Sequence, residues 1–168
     1  YHGLPLKAGD EILLTTHDHY SHHESARLSA ERSGASVRRV KLYDDASTAS
    51  VDSLVSNWLA GIGPKTRVAG ITWVHSSTGI RLPVREMARA LKAKHPDVLI
   101  VLDGVHGIGA VDETIATTGI DYLAAGTHKW MFAPRGTGIV WSHADGWARL
   151  RPLVPNFREW GSYNAGAE

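Results

Sequence analysis

Cysteine is absent from these 168 residues. Disulfides, thiolate zinc sites and a cysteine nucleophile within them are therefore excluded. Charge of either sign is also in short supply: 18 basic against 17 acidic side chains leave +1, which gives no reason to expect nucleic acid or an anionic membrane as partner. No run of about 18 apolar residues is long enough to span a bilayer, and the first residues lack a basic stretch followed by an apolar one. A soluble, cytoplasmic protein is the expectation. No internal repeat, low-complexity tract or linker interrupts the chain. What remains is an ordinary globular composition, 43% hydrophobic, at a length that suits one domain with a real core. The chain opens at Tyr1 without a methionine and closes on Gly166-Ala167-Glu168 without a finishing element, so a fragment of a longer protein is expected.

Apolar runs and chain breakers predict alternating strands and helices. Strands are expected at Glu11 to Thr16, Val37 to Leu42, Val68 to Val74, Val98 to Leu102, Tyr122 to Ala125 and Gly138 to Trp141. Helices are expected at Ser21 to Ser33 with Gly34 as its stop, at Asp52 to Leu59, from Pro83 to Lys94 and, briefly, at Glu113 to Thr118. The alternation describes an α/β fold, a mainly parallel sheet with helices on both faces, in which ligands bind at the carboxyl ends of the strands. Four polar clusters follow strands: Thr16 to His23, His75 to Gly79, Asp103 to His106 and Thr127 to Lys129.

Lys129 stands in Gly126-Thr127-His128-Lys129-Trp130-Met131-Phe132, among large apolar residues. Either it is an amine drawn out of water and made nucleophilic, or its stem lies on Trp130 with its head in solvent. Asp103, closing a five-residue apolar strand, either caps the following turn or holds a buried charge against a protonated heterocyclic nitrogen. His106 either donates to a ligand oxygen or fills a gap in the core. The dense group His17, His19, His22, His23 and Glu24 poses zinc binding against solvated or stacking roles.

Asp103-Gly104-Val105-His106-Gly107-Ile108-Gly109, with Thr127-His128-Lys129-Trp130-Met131-Phe132-Ala133-Pro134-Arg135-Gly136-Thr137-Gly138 following, resembles the fold type I pyridoxal-5′-phosphate (PLP) enzymes of aminotransferase class V. Within it the wording is closest to the isopenicillin N epimerase-like group, and His75-Ser76-Ser77-Thr78-Gly79 with Leu82-Pro83-Val84 is similar to the same group. The resemblance runs from about Gly9 to Trp141. It implies PLP as cofactor, Lys129 as the Schiff-base lysine and proton-moving base, and Asp103 as partner of the pyridinium nitrogen. It further implies that His106 stands where cysteine desulfurases of this class have a glutamine contacting the cofactor's phenolic oxygen, and that Thr127 and His128 meet the phosphate. His19 would stack on the cofactor ring, with Tyr20 as the fallback, and Ser77 or Thr78 would approach the phenolic oxygen or the substrate.

The resemblance also sets limits. Family members are longer, and this chain lacks both the N-terminal loop that cradles much of the phosphate and the C-terminal small domain that supplies an arginine for the substrate carboxylate. The absence of cysteine does not exclude a desulfurase, whose mobile cysteine lies past the end of this chain. Residues 1–150 are expected to form the core of an incomplete large domain and 151–168 to begin the connection to a further region. An amino-acid substrate, a homodimer and inactivity of the isolated chain follow from the same likeness. Two other readings stand beside it: a non-catalytic α/β ligand-binding domain, and a metal-dependent hydrolase built on the His17 to Glu24 cluster with Asp103.

Overall fold

The computed structural model describes residues 1–153. Six strands, β1 Glu11–Thr15, β2 Ser36–Val40, β3 Thr66–Thr72, β4 Leu99–Asp103, β5 Tyr122–Gly126 and β6 Gly138–Ser142, form one sheet in the order β2-β1-β3-β4-β5-β6. The first five are parallel and β6 runs antiparallel to β5. Four helices connect or follow them: α1 Tyr20–Ser33, α2 Val51–Ala60, α3 Val84–Lys94 and α4 Ala144–Arg149.

The chain leaves β1 toward one edge and returns past it to β3, so α1 covers one face and α2 with α3 the other. Alternating side chains record this. Ile12, Leu14, Val68, Leu99 and Val101 pack with Ala26 and Ala30 of α1, whereas Leu13, Ala69, Ile71, Ile100 and Leu102 pack with Leu54 and Trp58 of α2 and Met87 and Leu91 of α3. Covered on both sides, β3 and β4 read as near-continuous apolar runs. Burial of each such aliphatic side chain stabilises the fold by roughly 1.5–3 kcal/mol. On the α1 face the helix contributes small residues, and Gly70 of β3 leaves room there: a Cβ would overlap the Tyr1 hydroxyl and the Leu14 side chain.

Local signals fix the helix ends. The His19 side chain accepts from the Ser21 amide at the start of α1, and Gly34, at φ 72°, ends it in the left-handed conformation that glycine adopts without strain. Ser50 and Ser53 form a reciprocal capping box on α2. Pro83 is the residue preceding α3 rather than part of its first turn.

Other expected boundaries shift for physical reasons. The strand expected to reach Val74 ends at Thr72; Val74 instead makes an isolated antiparallel bridge with Arg81 that pinches the loop between them. β2 stops at Val40 because Leu42 and Tyr43 turn inward, the Leu42 carbonyl accepting from Asn57. The helix expected at Glu113 to Thr118 is only a 3₁₀ turn, Ile115–Thr117, with no side-chain cap from Thr114. Helix α4 was not anticipated; just beyond it the Arg151 amide donates to the Gly3 carbonyl, returning the chain to its start. Of the connection expected over 151–168, residues 154–168 lie outside the described residues.

Candidate active site

The carboxyl ends of β4 and β5 open into a crevice of about 730 Å³ on the α1 side, lined by Tyr1, His22, Asp103, Gly126, His128 and Thr137 among others. That volume lies within the ~300–1,000 Å³ usual for small-molecule sites.

Lys129 follows β5 on a loop closed at both ends. Thr127 N–H donates to the Thr137 carbonyl at 3.1 Å, Ala133 N–H to the Thr127 carbonyl at 3.1 Å, and Phe132 N–H to the Lys129 carbonyl at 3.1 Å. The tight return puts Phe132 at φ 53°, in the left-handed region. Lys129 is half-buried, and its Nζ lies 2.7 Å from His106 Nε2. Trp130 Nε1–H donates to the other ring nitrogen, His106 Nδ1, at 3.2 Å. Partial burial and the positive charge of Lys129 hold the His106 imidazolium below the usual histidine range; Asp103 opposes this and His19 adds to it.

Asp103 ends β4, and one of its oxygens accepts from the Val105 amide at 3.0 Å. Turn capping and a ligand role are thus compatible, since among the described residues the second oxygen has no hydrogen-bond donor. The turn is compact: Gly107 and Ile108 amides both donate to the Gly104 carbonyl. Gly107 also lies directly under the ring of buried Trp73.

The other expected residues divide. His128 is exposed and lines the crevice, whereas the Thr127 hydroxyl turns to that of Thr137, 2.5 Å away. His19 sits exposed at the N-terminus of α1, near enough for its charge to influence His106, with its ring tilted on Tyr20 at 4.5 Å. Ser77 and Thr78 do not line the crevice. Thr78 joins a separate cluster instead, its hydroxyl 3.1 Å from that of Tyr43, which meets His75 Nδ1 at 2.9 Å while His17 stacks on Tyr43 at 3.8 Å.

The zinc reading of the His17 to Glu24 group is overturned. His17 Nε2 accepts from the Leu42 amide, His19 caps α1, His22 meets Tyr1, His23 donates to the Thr15 carbonyl and Glu24 pairs with Arg27. Five residues with five different partners do not converge on one ion, and among the described residues no three metal-ligating side chains do. The metal-dependent hydrolase falls with it.

Sequence reasoning missed a buried chain on the crevice wall. Tyr1 Oη lies 2.5 Å from His22 Nε2, and His22 Nδ1 faces Asp18 Oδ1 at 4.0 Å. Burial, then the charges of Asp18 and Asp103, raise the Tyr1 phenol well above its usual range, while burial lowers the His22 imidazolium. The available signal was the four-residue spacing of Asp18, just before the cap of α1, and His22 in its first turn.

His75 carries a consequence for stability. It is fully buried, and desolvation takes its pKa from 6.5 to about 4. Because the folded value is the lower one, the unfolded chain binds the extra proton, so the native state loses stability as pH falls from 6.5 to 4. At about 1.36 kcal/mol per unit the loss reaches at most roughly 3 kcal/mol. Urea unfolding across this range is expected to show that acid limb in the unsubstituted chain and a flattened one in His75→Gln; equal limbs in both would reject the assignment.

A mainly parallel sheet with an amine, an imidazole and a carboxylate following adjoining carboxyl ends, beside a crevice of small-molecule size, defines an α/β domain of the ligand-binding kind. The model of the family Aminotransferase class-V matches residues 1–156, and the chain belongs to that family. PLP is the family's cofactor. Isopenicillin N epimerase of Amycolatopsis lactamdurans is 34% identical over 147 residues, covering 88% of this chain and 36% of the relative. Its namesake in Streptomyces clavuligerus is 31% identical over 157 residues, 94% of this chain and 38% of the relative. The chain therefore spans well under half the length of these relatives. Among solved structures, a mutant of C-DES with glycine covalently linked to the PLP cofactor superposes with a TM-score of 0.79 at 26% identity, over 93% of this chain and 40% of that one. The cystine C–S lyase C-DES with its product cysteine persulfide gives 0.79 at 28%, over 93% and 41%.

Proposed function

We propose that these residues are the cofactor-binding core, over 1–150, of a PLP-dependent enzyme acting on an amino acid, with Lys129 as the point of covalent attachment. The observation that carries this reading is the 2.7 Å approach of Lys129 Nζ to His106 Nε2, from the strand end next to that of Asp103. The donor set fits the cofactor: an amine for its aldehyde, a carboxylate oxygen for its ring nitrogen, and imidazole and hydroxyl groups for its anionic oxygens. When bound, PLP supplies an electron sink that weakens the bonds at an amino acid's α-carbon.

Most of these side chains then have a task. Asp103 holds a proton on the ring nitrogen by its charge. Lys129 Nζ takes and returns a proton at the substrate's Cα. His106 offers Nε2–H to the cofactor's phenolic oxygen, His19 stacks on the ring, and His128 meets the phosphate while Thr127 supports its loop through Thr137. Ser77 and Thr78, which lie off the crevice, are given no task toward cofactor or substrate. The reaction is of the epimerase, aminotransferase or C–S lyase type. A homodimer is supported by the exposed apolar tip beside the lysine, where Trp130, Met131 and Phe132 are 49%, 49% and 87% exposed.

Adding PLP, reducing with borohydride and mapping peptides tests the proposal. A pyridoxyl group on the peptide containing Lys129 is the expected result; a label confined to other lysines would sink it. Reversible binding that borohydride does not trap would select a non-catalytic ligand-binding domain.

A further inference from the structure

We propose that Tyr1 is a positioning residue: its hydroxyl keeps the His22 imidazole neutral, with the single ring proton on Nδ1, so that Asp103 keeps its charge for a cationic N–H of the ligand. The inference deepens the reading of Asp103 above and rests on it for the identity of that N–H. Tyr1 Oη lies 2.5 Å from His22 Nε2, and His22 Nδ1 faces Asp18 Oδ1 at 4.0 Å. Among the described residues neither Nδ1 nor Oδ1 has a hydrogen-bond partner, while the other Asp18 oxygen accepts from the Thr15 amide at 2.6 Å. Burial, with the charges of Asp18 and Asp103, keeps the phenol protonated and therefore able to donate. With the ring proton on Nδ1, its N–H meets a carboxylate and Nε2 offers a lone pair to the phenol. With the proton on Nε2, a lone pair would face the carboxylate, and the phenol proton would lose the one acceptor it has among the described residues.

The same hydroxyl opposes a charged ring. An imidazolium would turn a second N–H toward the phenol, whose own proton would again be left without an acceptor. Burial, His23 and the Tyr1 amino group also work against the cation, whereas Asp18 and Asp103 favour it. His22 and Asp103 both line the crevice, so an imidazolium there would be a counter-ion to the carboxylate before any ligand arrived. The fold makes room for this pair at some expense. A Cβ on Gly70, inside the central strand β3, would overlap the Tyr1 hydroxyl and come within 2.9 Å of His22 Nε2. Glycine inside a strand weakens it and marks a close approach. The Asp18 and His22 side chains are 0% and 5% exposed, so the chain of polar groups is buried where apolar packing would be more stabilising.

Tyr1→Phe tests this, because it keeps the ring and removes only the hydroxyl. In the full chain without cofactor, nitrogen-15 NMR of labelled histidine should show His22 with its proton on Nδ1 at neutral pH. In Tyr1→Phe the proton affinity of His22 should rise by about two- to tenfold, the range expected for losing one hydrogen bond of ordinary strength. Asp18→Asn removes a charge that favours the imidazolium and keeps an oxygen for the Thr15 amide, so it should move the titration the opposite way. Mere loosening of the wall would hydrate the ring and raise its proton affinity in both variants. The carbon-13 resonance of the Asp103 carboxyl group should shift as His22 titrates, since coupling between two sites is reciprocal. A proton on Nε2 in the unsubstituted chain, an unchanged titration in Tyr1→Phe, shifts of one sign in both variants, or an Asp103 resonance blind to His22 would each overturn the proposal. Failure of the cofactor reading looks different: no trapped pyridoxyl group in the unsubstituted chain, with the His22 and Asp103 results intact.

Discussion

Lys129→Ala, mixed with PLP and reduced with borohydride, will carry no pyridoxyl group on the segment 126–138, where the unsubstituted chain is labelled. The other five lysines are poorly placed to take over. Lys7, Lys65 and Lys94 precede β1, β3 and β4 and so lie toward the amino edge of the sheet. Lys92 is paired with Asp121 at 2.7 Å, and Lys41 pairs with Asp44 beyond the outer strand β2. Removing the Lys129 side chain takes away one hydrogen bond, to His106, which contributes about 1 kcal/mol. The variant should therefore melt within a few degrees of the parent, and the missing label will report chemistry rather than unfolding. Undiminished labelling of a folded Lys129→Ala chain would remove the lysine from its proposed role.

Gly107→Ala is expected to be the most damaging single-methyl change near the site. A Cβ on Gly107 would overlap the ring of Trp73, which is 1% exposed and has nowhere to retreat. Backbone bonds tie both residues to the site: Trp73 N–H donates to the Asp103 carbonyl, and Val111 N–H to the Gly107 carbonyl. Overpacking of a filled interior costs about 1–3 kcal/mol or more. For a chain of this size, about 3 kcal/mol lowers the melting temperature by roughly 6–12 °C. Because the displaced turn carries Asp103 and His106, the Lys129 contact should be lost along with stability, so thermal melts and borohydride trapping should decline together. A melting temperature within a degree or two of the parent would show that Trp73 can move.

Much of this was legible because two physical periods dominate the chain. Strands covered on both faces must be apolar throughout, and Val98 to Leu102 announced itself in that way. Helices between them are closed by residues with obvious stop chemistry, such as Gly34. Asp103 was legible as a strand-end polar group that lines the crevice, Lys129 as one that follows the next strand β5, and His106 through its place after Asp103. What stayed hidden depends on partners distant in sequence. Nothing local says that His75 binds Tyr43, that His22 meets Tyr1, or that Thr78 turns toward Tyr43. The five-residue histidine and glutamate group left zinc binding open beside solvated or stacking roles, because density in sequence does not reveal whether side chains converge in space. The strand end at Thr72 was missed because Val74, apolar and β-branched, fits a strand by propensity and was diverted by its bridge to Arg81.

The loop that carries Lys129 stands between two paired strands, with Gly126 opposite Gly138. In mechanical terms it is a clamped span, and its backbone has little travel. Whatever distance the amine covers must come from rotation about the single bonds of its own four-carbon arm, a motion of picoseconds to nanoseconds that requires no hinge and no rearrangement of the sheet. The moving part of the proposed machine is one side chain on a fixed mount, and exchange of one bonded partner for another at Nζ need not wait for the slower motions of the domain.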